Sequence, residues 1–461
     1  MLIEPEDRVE SVMLDPTETR GSASNRKEVF LVGDNRLSFN WGRGASIALR
    51  EVLSKAFEIR GCVSGNFFYL PLAEAGYVHT LMPPRFYHHF RYLFERRNRP
   101  LIRWYMKLEH LWGAHDFISE DPRTSVDNLV QERHRYPALN RIYEEASAAD
   151  VVVIDGDGDI TFSTPPHRPT LFLLAMIELG RRLKKPVFLV NSMISDCPVT
   201  GRNLETLKTA RELFAGCEGV ALRDYESLRY VKEEMPQVTA SVIPDSLFSW
   251  FSRYEGASSR PPIDGDFILP HPEAAQYWGK LDFSQPYICI GGGALASWSP
   301  DRAVESYGRL VDASRKLGLS IYLVESDLPD SFLERVAAEK EIGVVPANAP
   351  ILMCGAVLAN ARLFITGRYH PSILASLGGT PCIFLGSRAS KMSSLPEVLN
   401  YQVTRQFDAL PGDGEIDEMM ILARSYLEQG ESLRNRIRST ARLRAEQASS
   451  LPAFLNERLH T

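Results

Sequence analysis

Two arginines, a histidine and a run of acids are the side chains best suited to chemistry in this chain. Gly367-Arg368-Tyr369-His370-Pro371 follows an apolar run at 363–366, so a strand end meets a helix start at a cationic turn. In an open α/β sheet that crevice takes ligands, and a helix amino terminus favours an anion. Pro371 at the first helical position and Gly378 just past the last would punctuate the helix. Arg223 is delivered in the same manner after a short apolar run at 219–222, with Asp224 placed to cap a helix from Tyr225. Guanidinium forks match carboxylate or phosphate bidentately, so Arg223 and Arg368 can each hold an anionic group. His370, with an ordinary pKa of about 6.5, can supply a proton, or can simply cap its helix. Asp155 and Asp157, in Asp155-Gly156-Asp157-Gly158-Asp159, are the candidates for a general base. Lys391 is a further cation for an anionic donor, and equally a solvated lysine.

These groups need a scaffold, and the apolar pattern supplies one. Runs at 29–32, 151–154, 186–190, 219–222 and 241–243 read as strands, alternating with helical segments at 46–57, 171–183, 204–214 and from 225. A second α/β series has strands at 287–290, 321–324, 343–345, 363–365 and 382–385, the last closing its sheet. Its helices lie at 301–317, 331–341 and 350–360. The segment 252–265, rich in glycine, serine and proline, reads as a linker. The expected fold is α/β: two Rossmann-like domains in a GT-B-like arrangement, with a carboxyl-terminal helix packing across them. The expected boundaries are a flexible tail at 1–27, an acceptor-side domain at 28–251, a donor-side domain at 266–411 and a helical segment at 412–461.

A length of 461 residues suits two domains, and 44% hydrophobic against 24% charged residues is ordinary for a globular chain. A net charge of −6 argues against nucleic acid as a partner. No apolar run is long enough for a membrane span, and residues 1–27 lack the apolar stretch of a secretory signal. The six cysteines have no C-x-x-C spacing, which argues against structural zinc and suits reduced thiols in a cytoplasmic protein.

Three stretches keep alternatives open. Between Arg85 and Lys107, within an insertion at about 75–145, seven basic residues interleave with aromatics against the single acid Glu95. This fits a packed helical insertion, a peripheral membrane contact at the inner face, or a groove for an anionic or saccharide acceptor. The acidic run resembles the start of a calcium loop, but its twelfth position is Pro166, which excludes an EF-hand. A D-x-D metal site fits the carboxylates but not the two-domain layout, so no metal is expected. Gly291-Gly292-Gly293 after a strand can let a donor phosphate approach the backbone, or be a tight turn.

Three segments together resemble the polysaccharide pyruvyl transferase family. They are the strand ending at Asp155–Gly158 and leading to Lys185-Pro186-Val187, Leu222-Arg223-Asp224-Tyr225-Glu226-Ser227 followed by Ile243-Pro244-Asp245, and Gly367-Arg368-Tyr369-His370-Pro371 followed by Gly379-Thr380-Pro381 and Lys391. The resemblance implies transfer of a pyruvyl group from phosphoenolpyruvate, as donor substrate without a cofactor, to a sugar of a cell-surface polysaccharide or its lipid-linked precursor. It implies Arg223, Arg368 and His370 as donor-binding and catalytic residues; Tyr369, Lys391, Gly291 and Gly292 are further candidate donor contacts read from the residues themselves. Two departures stand out: the acidic run replaces a glycine-rich turn, and Asn40-Trp41-Gly42-Arg43 carries a base where an acid is usual. The alternative on the same scaffold is a glycosyltransferase using an activated sugar donor.

Overall fold

The computed structural model describes residues 26–36, 40–63, 117–198, 200–255, 281–347, 349–387 and 391–460. The basic-aromatic stretch from Arg85 to Lys107, the tail at 1–25 and most of the expected linker lie outside the described residues.

The amino-terminal half is built on β1 (Glu28–Val32), β2 (Glu58–Val63), β3 (Val151–Asp155), β4 (Ile160–Phe162), β5 (Val187–Ser192), β6 (Ile194–Asp196), β7 (Gly219–Leu222) and β8 (Ala240–Val242). Six of them form a parallel sheet in the order β2-β1-β3-β5-β7-β8, while β4 and β6 pair separately. The helices are α1 (Arg43–Leu53), α2 (Pro122–Glu132), α3 (Pro137–Ala148), α4 (Arg168–Arg182), α5 (Leu204–Ala215), α6 (Tyr225–Glu234) and α7 (Phe251–Tyr254). β3 and β5 are buried along their whole lengths, as a sheet covered on both faces requires. The expected cap forms: Asp224 Oδ1 accepts from Ser227 N at 2.7 Å at the start of α6.

The carboxyl-terminal half comprises β9 (Tyr287–Gly293), β10 (Ser320–Val324), β11 (Gly343–Val345), β12 (Phe364–Gly367), β13 (Cys382–Leu385) and β14 (Gln406–Phe407). Its sheet is parallel, in the order β11-β10-β9-β12-β13-β14, or 3-2-1-4-5-6 counted within this half. β14 lies outside β13, so β13 does not close the sheet as the sequence suggests; a two-residue strand leaves too little apolar pattern to read. Its helices are α8 (Pro300–Ser314), α9 (Phe332–Lys340), α10 (Ile351–Asn360), α11 (Tyr369–Leu377) and α12 (Lys391–Val398), followed by α13 (Asp413–Ala448) and α14 (Leu451–Leu459).

The fold is thus two Rossmann-like halves in a GT-B-like arrangement. α13 buries Met419, Leu433 and Ile437 in the carboxyl-terminal core, and α14 buries Leu451 and Leu455 beneath the amino-terminal sheet. Trp41 and Ile47 of the first half, with Leu247 and Trp250 before α7, also belong to the carboxyl-terminal core. The halves are therefore joined by apolar packing as well as by chain connectivity.

The strand order reverses between β1 and β3 in one half and between β9 and β12 in the other. Such reversal points open crevices at the carboxyl ends of the strands. The Asn40–Gly42 turn and the acidic loop come from the first, and the Arg368–His370 turn from the second.

Candidate functional site

Arg223 leaves the carboxyl end of β7 and is wholly buried. Its Nη1 donates to Asp157 Oδ1 at 2.5 Å and to Asp245 Oδ2 at 3.0 Å. Its guanidinium lies 4.2 Å above the Tyr369 ring centroid, a cation–π contact across the two halves. Among the described residues, Arg223 Nε and Nη2 have no hydrogen-bond partner. A buried cation with two unpaired donors is costly unless an anion arrives to satisfy them. Burial works against the charge, yet Asp157 and Asp245 outweigh it and hold Arg223 protonated.

His370 stands in the first turn of α11. That helix begins at Tyr369, two residues before Pro371, so Pro371 does not open it. His370 does not cap it either, since no side chain makes a cap hydrogen bond there. His370 Nε2 instead lies 3.2 Å from Asp157 Oδ1 and 3.6 Å from Asp245 Oδ2. Burial favours the neutral imidazole, but the two carboxylates prevail and push its pKa up to about 9. At neutral pH it is a charged acid with Nε2–H pointed at the acidic loop.

Asp157 carries a positive φ of 40°, rare outside glycine. The loop accepts this conformation because Asp155 Oδ1 takes the Asp157 N–H at 3.2 Å and the Asn191 amide at 3.1 Å. Burial opposes ionisation of Asp157, but His370 and Arg223 override it and hold the carboxylate far below the ordinary range. Such a carboxylate is a weak base, which corrects the expectation for Asp157. Asp155 is enclosed behind the loop, where burial and the neighbouring Asp157 raise its pKa well above the ordinary value. It orders the loop through its hydrogen bonds to the Asp157 N–H and the Asn191 amide.

Lys391 opens α12 and reaches the same point. A Cβ placed on Gly158 would lie 3.3 Å from Arg223 Nη2 and 3.3 Å from Lys391 Nζ. Only hydrogen stands there, so Gly158 lets both cations close on one point of the acidic loop. Burial, with Arg223 and Arg368 nearby, lowers the Lys391 pKa against the pull of Asp157 and Asp159.

Sequence pattern pairs Arg368 with Arg223 as a donor clamp. The structure gives its guanidinium other partners: Nε and Nη2 donate to Asp330 at 3.1 and 2.6 Å, and Nη1 to Asp327 at 3.0 Å. The fork is occupied by carboxylates of its own half. Gly291 and Gly292 also depart from expectation, because they continue β9 instead of forming an open turn. A Cβ at Gly292 would meet the Asp330 carboxyl at 2.4 Å, and one at Gly291 would meet Thr366 Oγ1 at 2.8 Å. These glycines make room for the Arg368–Asp330 pair and for β12. Tyr369, only 3% exposed, reaches the site through the face it offers Arg223.

Asp245, which the sequence offers only as part of a motif, and Asn191, which it does not offer, are site residues to which sequence reasoning gives no role. Asp245 Oδ1 accepts from Leu247 N while Oδ2 faces Arg223, so an ordinary Pro-Asp turn hides a second duty. Asn191 is a buried polar residue ending the apolar run of β5, and that interruption is the available signal. Among the described residues, no cluster of three or more His, Cys, Asp or Glu side chains is arranged to hold a metal ion. Nor is any described helix long and apolar enough to cross a membrane.

The family model for polysaccharide pyruvyl transferase matches residues 46–388. No curated protein matches the chain. Among solved structures the chain is similar to UDP-GlcNAc 2-epimerase from Neisseria meningitidis, with TM-score 0.53, 10% identity, and 93% of this chain and 100% of that one covered. The Rickettsia bellii UDP-N-acetylglucosamine 2-epimerase aligns with TM-score 0.52, 11% identity and coverage of 94% and 97%. A UDP-glucosyltransferase from Polygonum tinctorium aligns with TM-score 0.50, 13% identity and coverage of 95% and 100%. At these identities the likeness is one of fold.

Proposed function

Because the chain belongs to the polysaccharide pyruvyl transferase family, and is thereby a transferase, we propose that it moves a pyruvyl group from phosphoenolpyruvate to a sugar of a surface polysaccharide or its lipid-linked precursor. The observation that carries this reading is the pair of unpartnered Arg223 nitrogens, with Nη2 converging with Lys391 Nζ over Gly158. Phosphoenolpyruvate brings a carboxylate and a phosphate, and either satisfies buried donors that a neutral ligand would leave unpaired.

His370 supplies the proton. Its Nε2–H protonates C3 of the enol, leaving C2 electron-poor. A sugar hydroxyl adds to C2 and passes its proton to the now neutral imidazole. The C2–O bond to phosphate then breaks, and a second hydroxyl closes the ketal, its proton passing to the departing inorganic phosphate. Arg223 and Lys391 balance the charge on the departing phosphate, while Asp157 and Asp245 keep His370 protonated until the donor arrives.

The test is a donor screen by thermal stabilisation, since a ligand of the native state raises the melting temperature. Phosphoenolpyruvate should protect the protein, and inorganic phosphate should do so more weakly. Protection by nucleotide sugars alone would replace this reading with glycosyl transfer.

A further inference from the structure

We propose that Asn40 and Gly42, on the turn between β1 and α1, are positioning residues that hold the His370 imidazole in place from across the cleft. The turn lies directly against the ring: a Cβ on Gly42 would sit 2.9 Å from His370 Nδ1 and 3.0 Å from Cε1. Asn40 shapes the turn, its Oδ1 accepting from Gly42 N at 2.7 Å. Its Nδ2 donates to Asp327 Oδ2 at 3.0 Å, the same oxygen that Arg368 Nη1 reaches at 3.0 Å. One side chain thus connects the wall behind His370 to the carboxylate pair of the opposite half.

The turn has little freedom to retreat. Trp41 N donates to Ser326 O at 2.9 Å and Trp41 Nε1 to Ala347 O at 3.1 Å. Arg43 donates to Ala347 O and Ala349 O at 3.2 and 2.5 Å, and both Trp41 and Arg43 are fully buried. On its other edge His370 meets Asp157, Asp245 and Arg223, the last at 3.4 Å, with Tyr369 edge-on beside it in the same helix. An imidazole held between these walls cannot slide when atoms are added at Gly42. It has to rotate, and rotation takes Nε2 away from the two carboxylates that keep it charged.

The inference rests on the proposed role of His370, but its test needs no substrate. The ring C–H resonances of His370, assigned with a His370→Gln variant, are followed by NMR from neutral to alkaline pH. The wild-type midpoint is expected at about 9. Gly42→Ala should lower it toward the ordinary value of about 6.5. Turnover should fall about 100-fold, with little change in the KM for phosphoenolpyruvate. Asn40→Ala adds no atoms and should shift the midpoint the same way by less, which keeps the test open if Gly42→Ala does not fold. A wild-type midpoint at the ordinary value, or one that neither variant moves, overturns the positioning role. A shift as predicted in a protein that phosphoenolpyruvate does not stabilise leaves this inference standing and removes the donor assignment.

Discussion

Arg223 and Arg368 occupy equivalent places in the two halves: each follows a parallel strand, precedes a helix, and is buried or nearly so. Their partners differ. Arg368 commits both ends of its fork and its Nε to Asp330 and Asp327, whereas Arg223 uses one nitrogen and leaves two without partners among the described residues. Every nitrogen of Arg368 already donates to a carboxylate, whereas Nε and Nη2 of Arg223 still have donors to give an arriving anion. On the proposed reading, two arginines that look alike in sequence are a strut and a receptor, and the carboxylates around each make the difference.

The contrast is tested most directly at Arg223. Arg223→Lys keeps a charge but loses the fork, and should cut kcat/KM by about 100- to 1,000-fold and abolish stabilisation by phosphoenolpyruvate. Steady-state kinetics and melting curves read both effects. If Arg368→Lys gives the same loss of donor binding with unchanged stability, the distinction between strut and receptor fails.

The strut should announce itself in stability. Arg368→Ala leaves Asp330 buried without its cation, and breaking such a pair costs about 3–5 kcal/mol. Urea unfolding measures the loss, and Asp330→Asn in the same background should recover part of it. Gly158→Ala then probes the receptor without touching a charge. Its methyl would enter the space between Arg223 and Lys391, and an overpacking cost of about 1–3 kcal/mol corresponds to a donor KM raised about tenfold or more. A donor KM that does not move would place the anion elsewhere.

The pH dependence follows from His370, whose folded pKa is raised to about 9. Its contribution to stability is complete below the unfolded value of about 6.5 and is lost as pH climbs through the folded value. The fall in melting temperature across that window should flatten in His370→Gln. The rate should show an alkaline limb near pH 9, where the proton donor is lost. The smallest effect belongs to the rim: the exposed Arg229–Glu397 pair spans the halves at 2.9 Å, yet Glu397→Gln should cost under about 1 kcal/mol.

Much of the scaffold is legible in the residue pattern. β7 and the Asp224 cap fall where the apolar run and the acid before Tyr225 place them, since both depend on neighbours within a few residues. β2 escapes such reading because its run, Glu58–Val63, alternates weakly and carries Arg60 and Gly61. Gly291 and Gly292 suggest a turn, but glycine's local preference yields here to close packing against Asp330 and Thr366. At the site, Arg223, His370, Asp157 and Lys391 are nameable as chemical types, and they do converge. Arg368 is nameable too, but its role is not legible, because Asp330 and Asp327 lie 38 and 41 positions away.

The alternation of strands and helices, and the acids and bases at each strand end, are determined by the sequence alone, because they follow from local periodicity and short-range hydrogen bonding. Which arginine is satisfied and which is left waiting is decided only by the tertiary fold. Arg223 meets Asp157 across 66 positions and His370 across 147, and a carboxylate binds whichever cation the fold brings within reach. The same holds for Gly42, an ordinary glycine in the sequence that the fold sets against the Nδ1 edge of His370.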